Sequence, residues 1–219
     1  ELYDTENDPW EINNLATNPV LAGVLEEMRQ ANREWILKIK DTGFIPEHVL
    51  NAVVQTKKSS AYDVMRSAEY DLETILKSAE GASEGMEIPQ LLKGLKVKDQ
   101  AVRFWAAVGL RINYTQIAKK HERTMIQAMR NSSPDVNVVL AETLYLLDRT
   151  TVSLNAIKDV IKNIDAPMAR TRALNFIQAN QISDQLIQRV VRETYERFWV
   201  EDRFRYDLRH ISDTLLRLQ

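Results

Sequence analysis

The sequence predicts a mostly α protein: an all-α solenoid of helical hairpins, preceded by a short strand, a loop and one long helix. Three observations lead there. Gly and Pro number six each in 219 residues, too few for the turns of an all-β domain of this length. Apolar residues recur at spacings of three and four rather than alternating, the period of one helix face. From Gly85 onward, one pattern of apolar and small residues returns at offsets of 34 and then 32, the mark of stacked units that cannot bury their faces alone.

The elements follow in order. Residues 1–45 read as strand, loop and long helix. Leu2 and Tyr3 suit the end of a strand, and Asp4, Asn7, Asp8, Pro9, Asn13 and Asn14 form a run of turn formers. Asn18 followed by Pro19 is a helix start, a capping side chain and then a residue whose missing N–H costs nothing there. Leu21, Leu25, Met28, Trp35 and Ile39, with Val24 and Ile36 alongside, make one face of an amphipathic helix, and Gly43 reads as its stop. Residues 46–85 are a connector and first helices, with Asp71 the expected cap ahead of Leu72, Ile75, Leu76 and Ala79.

Residues 86–183 carry three helical pairs. Leu91, Gly94 and Leu95 correspond to Met125, Ala128 and Met129, and then to Ile157, Val160 and Ile161. In the second helix of each pair, Val102, Ala107 and Leu110 correspond to Val136, Ala141 and Leu144, and then to Met168, Ala173 and Phe176. The recurring alanine is expected where a neighbouring helix comes close. Residues 184–219 read as capping helices: a stripe of Leu186, Val190, Val191 and Phe198, a bend near Glu201, then Leu208, Ile211, Leu215 and Leu216.

Composition excludes several functions. Apolar residues at 44% and charged residues at 27% are ordinary for a globular protein with a core. Twenty-nine basic against 31 acidic residues leave a net charge of -2, without the basic excess of a nucleic-acid binder. Cys is absent, which removes disulfides, thiolate metal sites and thiol nucleophiles. No apolar run approaches the ~18 residues of a membrane span, so no membrane partner is expected. The sequence opens on Glu1 without Met or signal peptide, and is therefore expected to be a piece whose targeting segment lies upstream.

The opening ELYDTENDPWEINNLA resembles the last signature of the formylglycine-dependent, alkaline-phosphatase-like sulfatases. Glu1, Leu2, Tyr3, Asp4, Asp8, Pro9, Glu11, Asn13, Asn14, Leu15 and Ala16 fit it, while Thr5 and Trp10 depart from it. The helix with Leu25, Met28 and Trp35 and its exit DTGFIPE, Asp41 to Glu47, are similar to sulfatases of Bacteroidetes type. Some of those continue into HEAT-like repeats, and Val102-Arg103 with Trp105–Leu110 is similar to their first one.

The resemblance implies that residues 1–45 end the smaller C-terminal subdomain of a sulfatase, a sulfuric ester hydrolase acting on sulfated carbohydrate. The rest would be a HEAT-like accessory region. It also implies a periplasmic or secreted protein, and a catalytic domain upstream in the same chain as the main partner. Calcium and formylglycine would belong to that domain, which holds the C/S-x-P-S-R motif; this sequence has no such motif, so no catalytic, cofactor-binding or metal-binding residue carries over. For the repeat surface, contact with a protein, with a sulfated glycan or with a second copy of the chain all stay open. The competing reading is a free-standing HEAT-like protein-binding module, which leaves the ELYD…NNLA segment unexplained.

Asp4, Glu6 and Asp8 alternate like calcium ligands, but an EF-hand loop starting there needs Gly at 9 and Glu at 15, and Pro9 and Leu15 occupy those places. A structural turn fits better. His48, His121 and His210 share no ligand spacing. Between Arg192 and Arg209, Tyr195, Phe198, Trp199, Phe204 and Tyr206 interleave with Arg, but Glu193, Glu196, Glu201, Asp202 and Asp207 match the positive charge. That is a capping helix rather than a nucleic-acid groove. Trp35 and Trp105 read as core; Trp10, in the loop, is the one to test for ligand contact, with packing against the first helix the favoured reading.

Overall fold

The computed structural model describes residues 1–67, 70–163 and 165–201, with the side chains of Tyr195 and residues 197–201 outside that description. All regular structure among the described residues is helical, as the spacing predicts, and no helix there is long and apolar enough to cross a membrane. The chain divides into two compact units, residues 1–41 and 42–219.

In the first unit a loop leads through a 3-10 turn at Pro19–Leu21 into α1 (Ala22–Ile39). The Asn18 side chain accepts from the Val20 amide and Pro19 takes the first helical place. Two expectations fail. Leu2 and Tyr3 form no strand: the Leu2 amide donates to Asn14 Oδ1 at 3.0 Å and its carbonyl accepts from Leu15 N at 2.7 Å. These loop contacts take the groups a strand partner would need. The stop of α1 is Lys40 rather than Gly43, in the left-handed conformation with φ 60° and its amide on the Ile36 carbonyl. A lysine in that conformation gave no signal of a helix end, whereas a glycine does.

α1 also overturns the core assignment of Trp35. Trp35 and Met28 are each 57% exposed and Val20 is 85% exposed, with Val24 and Ile39 exposed as well. Only Ile36 of this helix is buried.

The second unit begins with α2 (Glu47–Lys57), a helix inside the expected connector, and α3 (Ala61–Arg66). α4 (Leu72–Ser83) starts at Asp71, whose carboxylate accepts from Thr74 N at 3.0 Å and Thr74 Oγ1 at 2.6 Å. It buries Leu72, Ile75, Leu76 and Ala79 as its spacing requires. Then come three pairs: α5 (Ile88–Gly94) with α6 (Gln100–Ile112), α7 (Glu122–Ala128) with α8 (Pro134–Leu146), and α9 (Thr150–Lys162) with α10 (Pro167–Ala179). α11 (Gln185–Glu201) follows. α6 packs on α8 and α8 on α10, so the second helices form a row, with α4 against α6 and α11 against α9.

Side chains cap the second helix in two of the pairs. Asp99 caps α6 through the Ala101 and Val102 amides, and Ser133 caps α8 ahead of Pro134. Ala107, Ala141 and Ala173 are fully buried. At Ala141 the approach is so close that the buried Ser153 hydroxyl of α9 donates to its carbonyl at 2.7 Å. The third pair departs from the pattern at its start. Met168 is 48% exposed, while Ala166 and Ala169 point inward, because Pro167 opens α10 and sets its first turn. In α11 Val190 and Val191 are buried as the stripe predicts, while Ile187 takes the inward place expected of Leu186, which is exposed. Asp184 fixes that start by accepting from the Ile187 amide. The bend near Glu201 and the apolar residues after it lie outside the described residues.

Candidate functional site

Three groups of residues carry enough polarity to be sites. In the first loop, Asp4 Oδ1 accepts from the Glu6 and Asn7 amides, both at 3.2 Å, and Oδ2 from Asn7 Nδ2 at 2.8 Å. The Asn7 side chain and amide hold the Asp4 carboxyl below its ordinary 3.8. Asp8 Oδ2 accepts from Asn13 N at 2.7 Å, and Asn14 Oδ1 from the amides of Leu2 and Ala16. Acceptors already engaged with backbone amides make a turn, the reading the sequence favoured over a cation loop. Trp10 is 83% exposed on this loop.

The second group lies on the row of second helices. Glu142 of α8 is 5% exposed, yet it is a carboxylate. Arg172 of α10 grips it with both arms, Nε to Oε1 at 2.7 Å and Nη2 to Oε2 at 2.8 Å. Arg111 of α6 approaches from the other side, its Nε 3.6 Å from Oε2. A planar guanidinium matches both oxygens of a carboxylate, so one buried acid ties three successive helices. A carboxylate engaged from both sides is a poor proton donor or nucleophile, and the arrangement is a brace. Glu122 and Arg149 repeat the bidentate geometry between α7 and the start of α9, at 2.6 and 2.9 Å, and the Glu122 carboxylate raises the Arg149 pKa further.

The third group centres on Asp135 in the first turn of α8. It is 7% exposed, and its Oδ2 has no hydrogen-bond partner. Burial pushes its carboxyl above the ordinary value, with Glu47 adding to the effect and His48 and Arg172 opposing it. His48 on α2 has Nδ1 2.9 Å from the Asp165 carbonyl. A carbonyl only accepts, so Nδ1 carries a proton. A buried acid with a raised pKa, within the field of an imidazole, is the nearest thing to acid–base chemistry among the described residues.

Sequence reasoning did not bring these residues together. His48 is isolated in sequence and reaches the Asp165 carbonyl only through folding; Glu142 is visible as one acid inside the apolar run Val136–Leu147. His121 ends a 3-10 turn ahead of α7, and His210 and the aromatic residues from Phe198 on lie outside the described side chains. Among the described residues no three His, Asp or Glu gather as a metal ion requires. Trp105, expected in the core, is half-buried. Its indole N–H donates to the Phe44 carbonyl at 2.8 Å, the kind of partner a partly buried tryptophan needs.

No family model matches the chain, and no solved structure matches it. The chain is similar to an ulvan-active sulfatase of Formosa agariphila, at 40% identity over 50 residues. That stretch is 23% of this chain and 8% of the relative's length. The likeness links part of the chain to a sulfatase.

Proposed function

We propose that this chain is a non-catalytic C-terminal accessory region of a sulfatase acting on sulfated carbohydrate. The likeness to the ulvan-active sulfatase carries the reading, together with the ELYD…NNLA segment. The exposed apolar face of α1, with Val24, Met28, Trp35 and Ile39 and with Val20 in the turn before it, supports it. A run of large apolar side chains on one helix face marks a surface made to be covered, and in this reading the catalytic part of the same protein covers it. The three helical pairs form a HEAT-like solenoid that serves as scaffold or as a contact surface for a protein or sulfated glycan. Formylglycine and calcium belong to the catalytic part, and the protein works in the periplasm or outside the cell.

The test is direct. Sequencing the gene ahead of the Glu1 codon should reveal an in-frame C/S-x-P-S-R motif within the preceding few hundred codons; its absence overturns the reading. The 219-residue chain by itself should not turn over an aryl sulfate, and clear turnover would overturn its non-catalytic part.

A further inference from the structure

Residues 44–48, at the start of the second unit, reach α6 and the turn that leads into α10, and α2 packs on α10. Phe44 sits on α6, its ring centroid 6.2 Å from that of Trp105 and its carbonyl on the indole N–H. Phe104 backs the same indole edge-on, at 5.4 Å and 78°. His48 reaches the Asp165 carbonyl, two residues before α10 begins. Between them Asp135, at the head of α8, lies within the electrostatic reach of Glu47 and His48. These contacts bridge 61 and 117 residues of sequence, so a short segment spans from α6 to the turn before α10.

What holds this segment is slight compared with what lies beneath it. In residues 44–57 only Ile45 and Val49 are buried apolar side chains, whereas α8 alone buries six. Ile45 N closes a local turn onto the Thr42 carbonyl, and α2 ends at Lys58, a non-glycine residue at φ 50°. Regions with few buried apolar contacts open ahead of global unfolding. The acid beneath also lacks a full set of partners, since Asp135 Oδ2 has none.

We propose that Phe44–Lys57 is a clasp: it releases from the row of second helices as a unit, baring Trp105 and Asp135, while α6, α8 and α10 stay folded. This stands apart from the sulfatase reading and survives its failure.

Native-state hydrogen exchange on the full chain tests it, with wild type compared to Trp105→Phe and His48→Ala. Trp105→Phe keeps an aromatic ring and removes only the N–H bonded to Phe44. With a single hydrogen bond lost, amides of residues 45–57 should exchange about 5-fold faster, and those within 101–112, 135–146 and 168–179 should keep their wild-type rates. The clasp is overturned if both sets accelerate together, because the segment is then part of one cooperative core. It is equally overturned if neither variant changes residues 45–57, or if His48→Ala unfolds the whole chain.

Discussion

Arg170 is buried at 1% exposure, and its Nε donates to the Ile161 carbonyl at 2.9 Å, near the end of α9. Its Nη2 also donates to the Asn163 carbonyl. The last carbonyls of a helix have no partner within it and carry the negative end of its dipole. A buried guanidinium satisfies both needs at once. Replacing Arg170 with Leu should therefore destabilise the protein by about 3 kcal/mol, since Ile161 and Asn163 would be left with desolvated acceptors. Urea unfolding monitored by circular dichroism would show it as a lower midpoint.

Asp135 should behave in the opposite sense. Its folded pKa lies above the ordinary 3.8 because burial disfavours the charge. The folded state therefore binds the proton more tightly than the unfolded state, and this group's contribution to stability falls as pH rises from 3.8 through the raised value. Asp135→Asn removes that penalty. Urea midpoints of the variant should exceed wild type at pH 7, and the gap should close below about pH 4. A gap independent of pH would show that the carboxylate charge is not the cause.

Gly109 marks a close approach on α6. A Cβ there would lie 2.5 Å from Leu91 Cδ2 and 3.2 Å from the backbone of Ala82. Leu91 is itself buried at 1% exposure, so it has little room to retreat. Overpacking costs about 1–3 kcal/mol, against a helix-propensity gain of about 1 kcal/mol for Ala over Gly. Gly109→Ala should lower the thermal midpoint by several degrees. The same change at Gly23, which meets nothing within 4 Å, should not lower it.

Glu142 is the remaining test. Glu142→Ala leaves Arg111 and Arg172 facing each other without the acid between them, and should cost about 3 kcal/mol. Arg172 is 40% exposed, so a double-mutant cycle with Arg172→Met should give a coupling of only about 1–2 kcal/mol. High salt should reduce it further.

The helices were legible because burial at Ala107, Ala141 and Ala173 depends on local spacing, and the caps at Asn18 and Asp71 act within three residues of themselves. What escaped the sequence depends on distant partners. The Phe44–Trp105 contact spans 61 residues, and nothing near either residue announces it. Arg170 stands where the earlier pairs carry Phe104 and Val138, and an arginine on a helix is ordinarily read as a solvated one. Its burial follows from the end of α9, which it caps. Trp35 was placed in the core from its stripe alone; periodicity identifies an apolar face but not what covers it.

The grip of two arginines on Glu142 has a mechanical meaning. Apolar side chains in contact slide over one another at modest cost, so a row of helices joined by them alone behaves like a deck of cards. A carboxylate held from both sides pins the middle card to each neighbour at one point. The row can still flex about that point, but α10 can shear past α8 only by breaking the bidentate pair, while α6 is held by the longer ionic contact of Arg111.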